Sequence, residues 1–183
     1  MTDKSLQYKI LDDNEVPLPS WQILSSETQS VSFLSNYKKC IVKPADRSAS
    51  AGVSLVTSRN ELMNAISWAK SESLTKKVLI EEFIDGPEFS VETISLNGEQ
   101  HVLAITRKLL GSQPGFVELG HSLPATISSE HNQQIVEIAK KATKALGLEF
   151  GVCHVVNCSP LVGLRNQFLT SGEYFFESTK FFE

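Results

Sequence analysis

The chain is poor in everything that would mark it for export, for a membrane or for nucleic acid. Of its 183 residues only three are cysteine: Cys40, Cys153 and Cys158. That number is too small, and odd, for a disulfide scaffold. No apolar run approaches the roughly 20 residues of a membrane-spanning helix. The opening residues MTDKSLQYKI contain no apolar signal core, which argues against secretion. Basic residues are in deficit, 17 Lys and Arg against 21 Asp and Glu, for a formal charge of −4. A general nucleic-acid or acidic-membrane binder needs the opposite balance, because phosphates are neutralised by surplus Lys and Arg. Internal repeats and low-complexity tracts are lacking. So are a GxxxxGK[ST] phosphate loop and a G-x-S-x-G nucleophile elbow, which removes P-loop chemistry and the common serine hydrolases. What is present, 41% hydrophobic and 21% charged residues, is enough to bury a core. The expectation is a reduced, cytoplasmic globular protein of one ordinary domain or two small lobes, with neither nucleic acid nor membrane as partner.

Periodicity sets out the elements. Residues 4–13 read as a helix with Leu6, Ile10 and Leu11 as its apolar positions. EVPLPSW (15–21) is extended, because its prolines exclude helix. CIVKP (40–44) is a strand, ADRSASAG (45–52) a small-residue loop and GVSLV (52–56) an alternating strand. Ser58 and Glu61 form a capping box for a helix that buries Leu62, Ala65, Ile66 and Ala69. VLIEEF (78–83) is a strand and IDGPE a turn. FSVETISL (89–96) and HVLAITRKLL (101–110) form a hairpin about Asn97-Gly98, a pair suited to positive φ. FVELGHSLPA (116–125) follows a Gly/Pro-containing loop. Residues 129–146 form a long helix with Ile135, Ile138, Ala139, Ala142 and Leu146 inward, capped by Gly147. LEFGVCHVV (148–156) is a strand, and GEYFFE (172–177) reads as the last. Two packed helices and six to eight strands, many joined by hairpins, predict an α+β fold with largely antiparallel sheets.

Four groups of residues can carry chemistry. Lys43, at a strand end before a small-residue loop, suits a phosphate cradle in which backbone N–H groups and an ammonium meet an oxyanion. It equally suits a solvated lysine. Glu81 to Glu88 (EEFIDGPE) is either a solvated acidic turn or a strand edge that meets an adenine, with Glu88 accepting from a ribose hydroxyl. Arg107 and Lys108, with Glu118 and His121 on the next strand, suit an anionic substrate and a transferring phosphate, although singly each is an ordinary surface residue. Cys153-His154 and Cys158 have a zinc-like spacing, but they alternate within an apolar strand and no second ligand pair exists.

Taken in order, these segments resemble the ATP-grasp superfamily, in its carboxylate–amine ligase branch, from Thr2 to about Gly151. TDK (2–4) resembles the family's first helix. IVKPAD (41–46) with SASAGVSLV (48–56) resembles its phosphate-lysine strand and small-residue loop. VLIEEFIDGPEFSVE (78–92) resembles its hinge and ribose segment, and FVELGHSLPA a segment of its amino-acid ligases. The resemblance implies two lobes, residues 1–82 and 83–183, the second incomplete at its end. It implies that Lys4 and Lys43 hold ATP phosphates, with the loop of Ser48, Ser50 and Gly52 as a lid. Glu81, Glu82 and Ile84 would line the adenine site, the last two through backbone groups, and Glu88 would hold the ribose. Lys108 would approach the transferred phosphate, with Glu118 and His121 on the substrate side. The implied reaction phosphorylates a carboxylate to an acyl phosphate, which an amine attacks, with Mg²⁺ offsetting phosphate charge.

The sequence also departs from the family pattern. Where the family places a metal-binding Glu two residues after the position of His154, this chain has Val156, and a valine cannot ligate Mg²⁺. Of the family's Glu-x-Asn-x-Arg segment, only Glu177 remains as a candidate ligand. The resemblance leads to the expectation that the family's preceding substrate-binding domain is missing. Hence a second expectation stands beside the ligase: a nucleotide-binding or interaction module that has lost its metal site. The partners expected are ATP and a small carboxylate and amine substrate, with a missing domain or self-association completing the assembly.

Overall fold

The computed structural model describes residues 3–47, 50–111, 118–158 and 167–169. Asp3 caps helix α1 (Lys4–Asp13) by accepting from the Ser5 N–H at 2.9 Å. The helix buries Lys4, Gln7, Tyr8 and Leu11, an i, i+3, i+4, i+7 stripe. This corrects the predicted face, since Leu6 is 47% exposed and Ile10 half-buried. The stripe wins because its polar members find buried partners, described below.

Strands β1 (Trp21–Ile23), β2 (Cys40–Pro44), β3 (Ser54–Val56) and β4 (Val78–Glu82) form an antiparallel sheet in the order β1-β4-β2-β3. Cys40, Val42, Val56, Val78 and Ile80 form one face and pack with Phe33, Leu34, Leu62, Ala65 and Ala69. The last five come from helices α2 (Glu27–Tyr37) and α3 (Arg59–Glu72). Helix α3 carries the predicted capping box. Helix α2 was not predicted. Its serines and short apolar segment blur the 3.6-residue pattern, and the Ser26 cap and the packing of Phe33 and Leu34 decide for helix. Pairing of Trp21 and Ile41 with Glu81, and of Lys43 with Leu79, puts these residues on the opposite face.

Strands β5 (Glu88–Leu96), β6 (Glu99–Leu110), β7 (Glu118–Ser122), β8 (Gly151–Cys158) and β9 (Gln167–Leu169) form a second antiparallel sheet, ordered β7-β6-β5-β8-β9. The β5–β6 hairpin turns as predicted, with Asn97 at φ 53° and Gly98 at φ 78°. Helix α4 (Ser129–Ala145) buries Ile135, Ala139 and Ala142 against Phe89, Val91, Ile105, Cys153 and Val155. By the alternation of β5, Glu88, Ser90 and Glu92 therefore point to the other face. Leu11 and Val16 also enter this second core, so α1 touches both sheets. The architecture is α+β, as predicted, with four helices and nine strands among the described residues. GEYFFE lies outside them. Cys153 faces the core and His154 the opposite side, so the zinc-like spacing cannot converge; desolvation pushes the Cys153 thiol up to about 12.

Candidate functional site

The first sheet's face opposite α2 and α3 holds a buried polar cluster. The Lys43 ammonium lies 2.6 Å from Glu81 Oε1 and donates to the Tyr8 hydroxyl at 3.1 Å, while Tyr8 donates to Glu81 Oε2. The Lys43 and Glu81 side chains are 5% and 4% exposed, so neither charge has water to fall back on. The Lys43 Nζ also sits 5.3 Å from the Tyr8 ring centroid, and Tyr8 meets Trp21 edge-on.

Lys4 joins from the same helix, one turn before Tyr8. Its backbone N–H donates to Ala45 O at 2.7 Å, and its ammonium donates to the Arg47 carbonyl. Burial, followed by repulsion from Lys43, lowers the Lys4 ammonium to about 8, although Glu81, Asp46 and Asp3 pull it up. Two ammoniums thus share a confined region and repel each other. An arriving anion would relieve that field.

The loop after β2 folds back tightly. Gly52, at φ 73°, leaves so little room that a Cβ there would lie 2.7 Å from Pro44 Cγ. Ser50 sits at φ 58° and its carbonyl accepts from the Val53 N–H at 3.2 Å. Ser48 lies outside the described residues.

The end of β4 is anchored on both sides. The Glu82 N–H donates to Ser20 O at 2.9 Å and the Phe83 N–H to Lys39 O at 3.1 Å. Ile84 follows, half-buried. Residues 83–87 then connect β4 to β5, so the Cα atoms of Glu82 and Glu88 are at most roughly 20 Å apart.

The second cluster stands on the face of the larger sheet away from α4. Lys108 pairs in register with His121. Its ammonium lies 3.4 Å from Glu88 and 3.2 Å from Glu118, and Glu118 lies 2.6 Å from His121 Nε2. Burial would raise the Glu118 carboxyl, but hydrogen bonds from His121 and Lys108 outweigh it and the net shift is downward. Arg107, in register with Phe89 and Ser122, points to the α4 side and is separated from this group. The structure thus assembles Lys4, Lys43 and Glu81 in one cluster and Glu88, Lys108, Glu118 and His121 in another.

Two pairings escaped the sequence reading. Tyr8 was passed over, although its i+4 spacing from Lys4 placed both on one helix face. Glu92 and His154 oppose each other in register and meet at 2.6 Å, on the face that bears Glu88. Val156 pairs with Ser90 on that face and is 1% exposed. Among the described residues no three His, Cys, Asp or Glu come together to hold a metal ion, and Glu177 lies outside them. The donor set described here does not fit Mg²⁺.

Two antiparallel sheets backed by helices, with a buried lysine–glutamate–tyrosine cluster on one and an acid–lysine–histidine group on the other, define an α+β fold. Comparison with known proteins makes this specific. The chain matches the ATP-grasp domain family over residues 37–157 and belongs to it. The D-alanine–D-alanine ligase of Flavobacterium johnsoniae is 38% identical over 118 residues, covering 60% of this chain and 35% of that protein. That of Carboxydothermus hydrogenoformans is 31% identical over 161 residues, covering 79% and 50%. The L-amino acid ligase of Bacillus licheniformis superposes with a TM-score of 0.72 at 28% identity, over 91% of this chain and 39% of that one. Biotin carboxylase from Campylobacter jejuni shares the fold, with a TM-score of 0.80 at 21% identity, over 92% and 39%. The chain thus spans between about a third and a half of the curated relatives named here.

Proposed function

We propose that the chain is the ATP-binding core of an ATP-dependent carboxylate–amine ligase of the amino-acid or peptide type, working through an acyl phosphate. The observation that carries this is the buried Lys4–Lys43–Glu81 cluster at the end of β4, one short connection away from Glu88, Lys108, Glu118 and His121. Lys4 and Lys43 hold phosphate oxygens as point charges. The loop through Ser48, Ser50 and Gly52 closes over them. Glu81 faces the adenine amino group, Glu82 and Ile84 meet the ring through backbone groups, and Glu88 accepts from the ribose. The lobes divide at residues 82 and 83, with the adenine at the connection.

In the first step a substrate carboxylate oxygen attacks the γ-phosphorus and ADP leaves. Lys108 stabilises the charge on the transferring group. In the second step an amine nitrogen attacks the acyl carbon, inorganic phosphate leaves, and the amine proton passes to His121, which Glu118 orients through the 2.6 Å contact. No step is routed through Mg²⁺, because the described residues do not form its site. The test is calorimetric titration with MgATP, then ADP release over a panel of amino acids. Binding with a dissociation constant below millimolar supports the nucleotide site, and amine-dependent ADP release supports the ligase. Absence of binding at millimolar MgATP refutes both.

A second reading, a nucleotide-binding or interaction module without turnover, is favoured by one observation. Val156 presents only hydrocarbon on the face that carries Glu88 and Glu92. It expects ATP affinity that hardly changes with magnesium and no ADP release with any amino acid. Measured turnover refutes it.

A further inference from the structure

We infer that Tyr8 is a positioning residue of the nucleotide site, holding the Lys43 ammonium and the Glu81 carboxylate in the one arrangement in which both can meet a ligand. This rests on the proposed nucleotide function. Tyr8 is fully buried, and its hydroxyl contacts both charged groups, accepting from Lys43 Nζ at 3.1 Å and donating to Glu81 Oε2. Lys43 occupies Oε1 of the same carboxylate at 2.6 Å. A carboxylate gripped at both oxygens has its plane fixed. An ammonium that spends two of its three protons on Glu81 and Tyr8 has its third direction fixed as well.

The ring contributes separately from the hydroxyl. It packs edge-on against Trp21 with centroids 5.1 Å apart, and its face lies 5.3 Å from the Lys43 nitrogen. Phenylalanine keeps the ring and removes only the bridge. Tyr8 shares its helix face with Lys4, whose backbone and ammonium are tied to Ala45 and Arg47. Helix α1 therefore presents a fixed tyrosine, and Lys43 and Glu81 are oriented against it.

The chemistry has a signature beyond affinity. A fixed Glu81 carboxylate accepts from the exocyclic amine of adenine and repels the carbonyl that guanine carries at the same position. Freed to swing away, it no longer repels. Calorimetric titration of the wild-type chain and of Tyr8→Phe with ATP and with GTP reads this directly. The expected result is an ATP affinity about tenfold weaker in Tyr8→Phe, the loss of a hydrogen bond to a charged group, and an ATP-over-GTP preference about tenfold narrower. Trp21→Phe, which disturbs the same packing without touching the hydroxyl, should lower thermal stability and leave that preference unchanged.

If Tyr8→Phe lowers the melting temperature but keeps the wild-type preference, the positioning role is overturned and the nucleotide reading survives. If the wild-type chain binds neither nucleotide, the nucleotide reading itself fails. Should Tyr8→Phe not fold, wild-type protein labelled with ¹³C at tyrosine Cζ still decides the question. ATP must move the Tyr8 resonance while that of Tyr37 stays in place, and an unmoved Tyr8 resonance overturns the inference.

Discussion

Glu81→Leu tests whether the lysine cluster is as enclosed as its geometry requires. At 2.6 Å the gross attraction of the pair is about 6 kcal/mol at an effective dielectric of 20. Most of that is offset by stripping both groups of water. Deleting Glu81 keeps Lys43 buried and removes its counter-charge, with Lys4 close enough to repel it. The expected destabilisation is about 3–5 kcal/mol, which for a chain of this size is a fall of roughly 6–20 °C in melting temperature. Lys43→Met combined with Glu81→Leu should recover most of it, to within about 1–2 kcal/mol of wild type, because no uncompensated charge remains. Urea denaturation of the wild type, both single variants and the double variant closes the cycle. A Glu81→Leu protein within about 1 kcal/mol of wild type, or a double variant showing the summed loss of the singles, would refute the claim that this pair is shut away from solvent.

Other outcomes follow from the same geometry. The Lys4 ammonium, lowered to about 8, is about half protonated at pH 8, so a triphosphate that raises it should draw up to about half a proton from solution. Calorimetry in two buffers of different ionisation enthalpy measures this, and Lys4→Met should abolish it. Without ligand, Lys4 is a group whose folded-state affinity for protons is depressed below 10.5, so the unfolded chain holds more protons between about pH 8 and 10.5 and stability rises across that window. The stability gained by Lys4→Met should therefore shrink as the pH rises through it. Burial is outweighed by hydrogen bonds from His121 and Lys108, which hold Glu118 below the ordinary glutamate value of 4.5. Its contribution is present above that value and lost as the pH falls through the lowered one, so the melting-temperature gap between wild type and Glu118→Gln should close in acid. Gly52→Ala combines a positive φ with a Cβ at 2.7 Å from Pro44 Cγ and should destabilise by about 1–3 kcal/mol in urea.

Elements with their own punctuation were legible from residue order. The Ser58–Glu61 capping box, the Asn97-Gly98 turn and the Gly147 cap each demand a particular backbone geometry, and each appears where expected. Helix α2 was illegible because nothing within it states a period: Ser30, Phe33 and Leu34 are its buried residues, and only the core they enter makes them a face. The face of α1 was misassigned for a related reason. Hydrophobicity ranks Leu6 and Ile10 above Lys4, Gln7 and Tyr8, yet buried partners for a lysine and a tyrosine hydroxyl lie 35 to 73 residues away, at distances that no local window spans.

The candidate site divides along the same line. Lys43, Glu81 and Glu88 could be named in advance because each lies at a strand end or one residue from it, where alternation tells which face a side chain takes. Their meaning could not, because a lysine at a strand end is solvated or buried depending on what covers it, and the cover is Tyr8 from α1. Glu92 and His154 make the converse case. Both residues were visible, but only the register of β5 with β8 sets them opposite each other. A one-residue slip would have turned His154 into the core and Val155 out of it. Cross-strand register is thus the variable that separates a list of plausible residues from a site. It is fixed in this chain by the alternating core of Phe89, Val91, Cys153 and Val155, not by the charged groups it brings together.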